Sequence, residues 1–193
     1  MSRHNPYPHA DQVFEKVAFR DIGSAGDEFE SCTFKSCDFS DSDLSDCCFT
    51  DCRLVDCSLS MATITNTGMR NMAFLGCKVV GVDFSKCRAL LFAVSFEKCC
   101  LDYSGFSKTR LKKTTFNGCS IREADFTAAD LTGTCFDDCD LERAVFSRTN
   151  LSQADFRTSR HYTINLEANL VRKAKFSVAG VAGLLSQYDI VIE

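Results

Sequence analysis

The sequence predicts an all-β solenoid whose chain winds in four-sided coils of 20 residues. A large apolar residue recurs at every fifth position from Phe29 to Phe84, and again from Phe96 to Phe156. Neither a helix, with about 3.6 residues per turn, nor an alternating strand keeps a period of five on one side. A chain that turns a corner after every fifth residue does, and such a fixed short period is typical of solenoids.

A small residue stands two positions before most of these apolar centres, often Cys in the first half and Ala or Thr in the second. One large and one small inward side chain per unit would fill a narrow interior. The coil length is indicated by six cysteines spaced by 20 residues, with one step of 22: Cys37, Cys57, Cys77, Cys99, Cys119 and Cys139. From Phe96 onward Phe alternates with Leu or Ile, which predicts Phe on one pair of opposite walls.

These patterns divide the chain into three segments. We expect an N-terminal tail over residues 1–12, a repeat β-helix over 13–176, and a C-terminal cap over 177–193. The β-helix should be irregular near 20–28, where Ser24 replaces an apolar centre, and near 86–94, where the two extra residues lie. Leu90, Leu91 and Phe92 cannot all point inward there, so we expect at least one to be displaced toward solvent as in a β-bulge.

The C-terminal segment should cover the last coil, whose edge would otherwise be open. Ser177 is a suitable N-cap for a short helix, and Ile190 to Ile192 reads as a short apolar strand. The apolar side chains of this segment also predict a homodimer interface. These residues are Val181, Leu184, Leu185, Tyr188, Ile190 and Ile192.

Composition favours one domain without catalytic or membrane-spanning parts. The chain has 193 residues, no long apolar run, and an N-terminus without the apolar segment of a signal peptide, so we expect a cytoplasmic protein. Ten of the 13 cysteines fall at the inward small position, where a thiol packs as a small hydrophobe. No C-x-x-C pair, nucleotide-binding motif or hydrolase motif occurs, so we expect no metal, no cofactor and no enzyme activity.

Acidic residues are concentrated near the N-terminus, with ten acidic and two basic residues from Asp21 to Asp56. Six of them are candidate partner-binding residues: Asp38, Asp41, Asp43, Asp46, Asp51 and Asp56. Asp41, Asp46, Asp51 and Asp56 hold the same position in successive units and should ring one coil. One interpretation is an ordinary solvated surface, and the other is a rod whose negative end competes for a site that normally holds DNA.

The repeat resembles that of the pentapeptide-repeat family, whose loose motif is a small residue, Asp or Asn, Leu or Phe, and two variable residues. The units ADFTA (124–128), ADLTG (129–133) and CDLER (139–143) fit this motif closely. The resemblance covers roughly Phe14 to Phe176 and implies a right-handed quadrilateral β-helix. It is specific for the fold and much less so for function, because one fold hosts many functions.

The layout also resembles the gyrase-protecting branch of that family, the quinolone-resistance (Qnr-type) proteins and the immunity proteins of producers of gyrase-poisoning peptides. The resemblance implies a dimer that engages DNA gyrase or topoisomerase IV by mimicking DNA, without binding nucleic acid itself. Qnr-type proteins commonly carry sizeable loops, whereas this chain has only two extra residues near Arg88 to Ala93. The alternative hypothesis is a solenoid interaction module with a different partner.

Overall fold

The computed structural model describes residues 9–188 and 190–191. These residues form eleven short strands, three 3-10 helices and one α-helix. The strands are β1 (His9–Ala10), β2 (Val13–Glu15), β3 (Glu28–Glu30), β4 (Thr33–Lys35), β5 (Cys48–Thr50), β6 (Arg53–Val55), β7 (Gly68–Arg70), β8 (Met72–Leu75), β9 (Val94–Glu97), β10 (Thr115–Asn117) and β11 (Cys135–Asp137). The helices are the 3-10 turns Phe19–Asp21, Phe84–Lys86 and Val178–Gly180, and α1 (Ala182–Leu185).

All strand pairs are parallel, and each pair joins residues that lie one coil apart. Phe34 of β4 lies beside Leu54 of β6, a step of 20 residues. Phe74 of β8 lies beside Phe96 of β9, a step of 22. The predicted coil length and the position of the two extra residues are therefore confirmed.

Each coil has four faces, which we number in chain order. Face 1 is the seven-stranded sheet β2-β4-β6-β8-β9-β10-β11, and face 4 is the four-stranded sheet β1-β3-β5-β7. Faces 2 and 3 are joined by single β-bridges, such as Asp38 with Ser58 on face 2 and Asp43 with Thr63 on face 3. The all-β solenoid with four-sided coils is the fold that the sequence predicts.

Stacked side chains fill the interior. On face 1 the rings of Phe96 and Phe116 stack with their centroids 5.3 Å apart, and those of Phe116 and Phe136 are 5.0 Å apart. Phe126 of face 3 meets Phe116 edge-on, with 6.2 Å between the ring centroids. Leu111 and Leu131 occupy the inward positions of face 4 and are buried. The second half of the solenoid thus places Phe on opposite faces, as the alternation predicts.

The corners explain the polar residues of the repeat. The residue two positions after most centres has a left-handed backbone, for example Asp41 with φ 55° and Lys108 with φ 60°. Gly, Asn and Asp adopt this region most readily. Residues one position before the centre often accept a local hydrogen bond, as Asp43 Oδ1 does from the backbone N–H of Ser45 (2.9 Å). Both positions therefore favour Asp for local reasons.

The coils are irregular at two places. Near 20–28 the chain forms the turn Phe19–Asp21, and a carboxylate oxygen of Asp27 accepts a hydrogen bond from the backbone N–H of Ser24 (2.8 Å). Near 86–94 the face 4 sheet ends at β7. Within the described residues no β-bridge of face 4 connects β7 with the following coil. The two extra residues thus interrupt one face while face 1 continues without a break.

The structure has a short strand at the N-terminal end of the solenoid and a capping turn at its C-terminal end. His9 of β1 already lies beside Phe29 of β3, so parallel pairing begins before residue 13. Ser177 caps the C-terminal turn, because its hydroxyl accepts a hydrogen bond from Gly180 N–H (3.2 Å). The strand predicted for the last residues is wrong at Ile190 and Val191, which form no strand because no described residue pairs with their backbones. Ile192 lies outside the described residues, among which no helix is long and apolar enough to cross a membrane.

Candidate interaction surfaces

Four aspartates occupy the four corners of one coil, and we call Asp41, Asp46, Asp51 and Asp56 the acidic ring. All four are exposed, with φ between 53° and 62°. The left-handed corner alone does not require an acid, because Lys98, Lys113 and Arg143 adopt the same backbone in later coils. The ring therefore concentrates negative charge where the backbone would equally accept a cation.

The ring is partly engaged by the coils beneath it. Asn71 donates a side-chain hydrogen bond to Asp51 Oδ1 (2.7 Å), and Asn66 donates one to Asp46 Oδ1 (2.5 Å). The Arg88 guanidinium lies 4.0 Å from the same oxygen of Asp46 and donates to its backbone carbonyl (3.1 Å). Asp46 is therefore partly neutralised by the protein itself.

Face 3 carries a column of acidic residues along the rod, and we call Asp43, Asp83 and Asp125 the acidic column. These positions are separated by two coils each, or roughly 10 Å. No Lys or Arg occurs at the outward positions that directly flank the face 3 centres between Gly23 and Ser147. Only Asp43 was among the predicted partner-binding residues. Asp83 and Asp125 lie 40 and 82 residues after Asp43, outside the acid-rich segment from Asp21 to Asp56, and so were missed. Asp125 joins the column only when the 22-residue step is counted.

Hydrogen bonds lower the pKa of Asp43 and Asp125 in the acidic column and that of Asp38 on face 2. Two bonds from Ser45, through its side chain and backbone, lower the pKa of Asp43, and the Ser40 backbone and side chain do the same for the pKa of Asp38 on face 2. Burial alone would raise the pKa of Asp125, but hydrogen bonds from Ser107 and Thr127 outweigh it and lower the pKa. Asp43 and Asp125 of the acidic column thus stay charged at neutral pH.

Face 4 has the opposite charge beyond its interruption. The turn from Arg88 to Phe92 and the next coil at Lys108 to Arg110 border a groove of about 540 Å³. Leu90 and Leu91 are 73% and 62% exposed there, whereas Phe92 is half-buried against Phe84 with ring centroids 6.4 Å apart. Two of the three bulge residues therefore face solvent, and the aromatic one packs inward.

The six predicted interface residues of the C-terminal cap differ in how far they are exposed. Leu184 is wrong as an interface residue, because it is only 7% exposed and packs into the core of the last coil. The cap is fixed there by a hydrogen bond from Ile164 N–H to the Gly183 carbonyl (3.1 Å). Leu185 is half-buried, while Val181, Tyr188 and Ile190 remain exposed. Ile192 lies outside the described residues.

The exposed apolar surface of the cap is wider than predicted. Val178 and Val191 are 92% and 85% exposed, and Leu170 of the last coil is also exposed. Tyr188 donates its hydroxyl to Glu167 Oε1 (2.9 Å), so its polar end is satisfied within the chain. In the sequence, Val178 directly follows the N-cap Ser177. That position could have indicated its exposure, because the first turn of a helix has no preceding turn to cover it.

The inward cysteines pack as the sequence predicts. Cys57 and Cys77 are buried, and each thiol donates to a backbone carbonyl 23 residues earlier, at 3.4 Å and 3.5 Å. Burial raises the pKa of Cys52 to about 12, and likewise that of Cys87 to about 12. Across the described part of the chain, no three His, Cys, Asp or Glu side chains are arranged to hold a metal ion.

The chain is similar to one family model and to several solved structures. The family model for the pentapeptide repeat region matches residues 27–90 and 89–160. No curated protein sequence matches the chain. Among solved structures, full-length QnrB1, a plasmid-mediated fluoroquinolone resistance protein, is similar with a TM-score of 0.57 at 21% identity, over 94% of this chain and 99% of QnrB1.

A second solved structure is equally similar. HetL from the cyanobacterium Nostoc sp. strain PCC 7120, a pentapeptide repeat protein involved in heterocyst differentiation regulation, gives a TM-score of 0.57 at 15% identity, over 93% of this chain and 91% of HetL. At these identities the likeness shows the fold alone. Because the family model spans most of the solenoid, the chain belongs to the pentapeptide-repeat family.

Proposed function

We propose that this protein binds a type II DNA topoisomerase, DNA gyrase or topoisomerase IV, by presenting acidic side chains where the enzyme would hold DNA. The acidic column on face 3 is the observation that supports this most strongly, since charges of one sign repeat along a straight rod without a basic residue between them. Such a surface is complementary to a positive DNA-binding channel. The protein would modulate the enzyme and relieve the effect of gyrase poisons, in the cytoplasm and without catalysis of its own.

A homodimer belongs to the same proposal. The exposed apolar residues of the cap, among them Val178, Val181 and Val191, form a surface that is in contact with water in the monomer. Exposed apolar surfaces of this kind are typical of protein–protein interfaces. Two copies joined through their caps would present an acidic ring at each far end. That two-fold shape matches a two-fold-symmetric enzyme. Light scattering of the purified protein should give the mass of a dimer, and a monomer would contradict this part.

The experiment is a gyrase supercoiling assay with and without a quinolone. We compare the wild type with a ring variant, Asp41→Asn, Asp46→Asn, Asp51→Asn and Asp56→Asn, and with a column variant, Asp43→Asn, Asp83→Asn and Asp125→Asn. Asn tolerates the left-handed corner and keeps a carbonyl that accepts the local hydrogen bonds, so only the charge is lost. We expect the concentration needed for half the wild-type effect to rise about tenfold in the column variant, and less in the ring variant.

A matched control separates this surface from net charge. Asp137→Asn with Asp138→Asn removes two exposed acids of face 1, one of them at a left-handed corner with φ 47°. The control should retain the wild-type effect. An equal loss in the control, or no effect of saturating wild-type protein on gyrase in either condition, would refute the topoisomerase proposal.

A second candidate function is a solenoid interaction module whose partner is not a topoisomerase. The equal similarity to HetL favours it, because that protein has the same fold and a role in differentiation. In that case the dimer and the acidic column would remain, and gyrase would be unaffected.

A further inference from the structure

The interruption of face 4 forms a groove on the surface of the solenoid. Its floor and rim come from the turn at Arg88 to Phe92 and from the neighbouring coil at Lys108 to Arg110. A volume of about 540 Å³ is within the range of small binding sites. Leu90 and Leu91 stand side by side in solvent, which leaves adjacent apolar side chains at the edge of the groove.

The groove is surrounded by positive charge. Lys86, Arg88, Lys108, Arg110, Lys112 and Lys113 all lie on face 4 or its corners. Lys112 pairs with Asp130 at 3.1 Å, and Arg88 lies 4.0 Å from Asp46. Within the described chain the other four form no ion pair, so their charge is available to a ligand.

The backbone beside the groove is also open. In later coils of face 4, Asp130 and Asn150 donate their backbone N–H groups to Thr109 and Ala129, both at 2.9 Å. The equivalent group is that of Arg110, which donates no backbone hydrogen bond to any described residue. An unpaired N–H at the end of an interrupted ladder can donate a hydrogen bond to a backbone carbonyl of an added extended chain.

We propose that this groove binds an extended acidic segment of another protein, with carboxylates against Lys108 and Arg110 and an aliphatic side chain against Leu90 and Leu91. The basic rim selects acidic residues, the leucines select an apolar neighbour, and the open N–H of Arg110 favours a peptide backbone. A nucleic acid fits less well, because the aromatic residues lining the groove are the buried Phe84 and the half-buried Phe92, which leaves no exposed ring for base stacking. This surface lies outside the acidic column and acts independently of topoisomerase binding.

Fluorescence anisotropy with the full-length protein tests the proposal. The probe is a fluorescein-labelled peptide of four Glu-Asp-Leu repeats, and a labelled oligothymidylate of similar length represents nucleic acid. The charge variant is Lys108→Glu with Arg110→Glu, and the apolar variant is Leu90→Ser with Leu91→Asn, where Asn suits the φ of 60° at Leu91. All four residues are exposed, so both variants should keep the wild-type circular dichroism spectrum.

The matched control is Arg172→Glu with Lys173→Glu, an identical charge reversal at exposed residues of the same face in the last coil. We expect each groove variant to bind the peptide at least about tenfold more weakly than the wild type, and the control to remain within about twofold. Equal weakening in the control would show diffuse charge attraction and overturn the groove. Oligothymidylate binding as tight as peptide binding would assign the surface to nucleic acid, and no binding of the peptide to the wild type would also overturn the proposal.

Discussion

The coils before and after the interruption of face 4 share the same four-sided backbone, but different side chains fill their interiors. Before it, Phe29 and Phe49 stack on face 4 with centroids 5.0 Å apart, and face 3 holds Leu44 and Ile64. After it, face 4 holds Leu and face 3 holds Phe, as at Leu111 and Phe106. The bulky and smaller walls have exchanged places.

The aromatic stacks are not continuous through this exchange. The inward residues of one complete coil are all aliphatic: Leu54, Leu59, Ile64 and Met69. Beyond it the face 1 stack runs without a break from Phe74 to Phe176, with neighbouring centroids 4.9 to 5.4 Å apart. The aliphatic coil therefore separates a short aromatic block from a long one. We infer that the later coils are the more stable part, because stacked and edge-on ring pairs add to the area that they bury.

The largest expected effect is a cavity in the long aromatic block. Phe126 is fully buried, stacks on Phe106 and Phe146, and meets Phe116 edge-on. Phe126→Ala should lower the free energy of unfolding by about 3–5 kcal/mol, and Leu54→Ala in the aliphatic coil by about 2–4 kcal/mol. Urea denaturation followed by circular dichroism measures both.

The conservative variant Phe126→Leu is the control, because it removes less side-chain volume than Phe126→Ala. It should lower the free energy of unfolding by less than about 1.5 kcal/mol if the neighbouring side chains close the gap. A larger loss for Leu54→Ala than for Phe126→Ala would reverse the ranking of the two regions.

A smaller effect should distinguish the regions at alkaline pH. Seven inward cysteines precede the interruption and three follow it. Burial raises the pKa of Cys52 to about 12 from the ordinary value of 9.0. A raised pKa means that the thiol contributes fully to stability below pH 9.0, and that this contribution is lost as the pH rises toward 12. The first half should therefore become sensitive to protease before the second half as the pH is raised, with mass spectrometry locating the cuts.

The variant Cys52→Ala with Cys87→Ala removes two of these thiols and should reduce the alkaline loss. Earlier cleavage in the coils after residue 94 would contradict the assignment of this effect to the cysteines.

The sequence was sufficient for the coil and insufficient for details that depend on contacts between coils. The period of five and the 20-residue cysteine spacing result from side chains that must alternate between a filled interior and solvent, so they are visible in one dimension. The exposure of Leu90 and Leu91 was not, because it depends on Phe92 reaching Phe84 across the corner. Leu184 was assigned to an interface because periodicity cannot show that Tyr162 and Ile164 continue the core where His161 breaks the series.

Charge was the other property that the linear sequence obscured. The acidic ring lies within one short stretch of the chain and was visible in the sequence. Asp43, Asp83 and Asp125 are 40 and 42 residues apart, and Asp125 joins the other two only when the 22-residue step is counted. The basic rim of face 4 is similar, since Arg88 and Arg110 are 22 residues apart in sequence and one coil apart in the structure. A column on a solenoid is predictable from sequence once every insertion has been placed in its coil.

The smallest effect concerns what the two regions share, which is the corner. Gly81 lies before the interruption with φ +71°, and Gly118 lies after it with φ +62°. A methyl group at Gly118 would make only an ordinary contact with Lys98 Cγ (3.6 Å), and one at Gly81 would meet the end of the flexible, exposed Met61 side chain. Gly81→Ala and Gly118→Ala should therefore each cost about 1–2 kcal/mol, which is the backbone penalty of a left-handed residue. Asn at either position should recover part of that loss.

Thermal unfolding of the four variants measures these differences. A cost at Gly81 several times that at Gly118 would mean that the corner, like the interior, differs between the two regions.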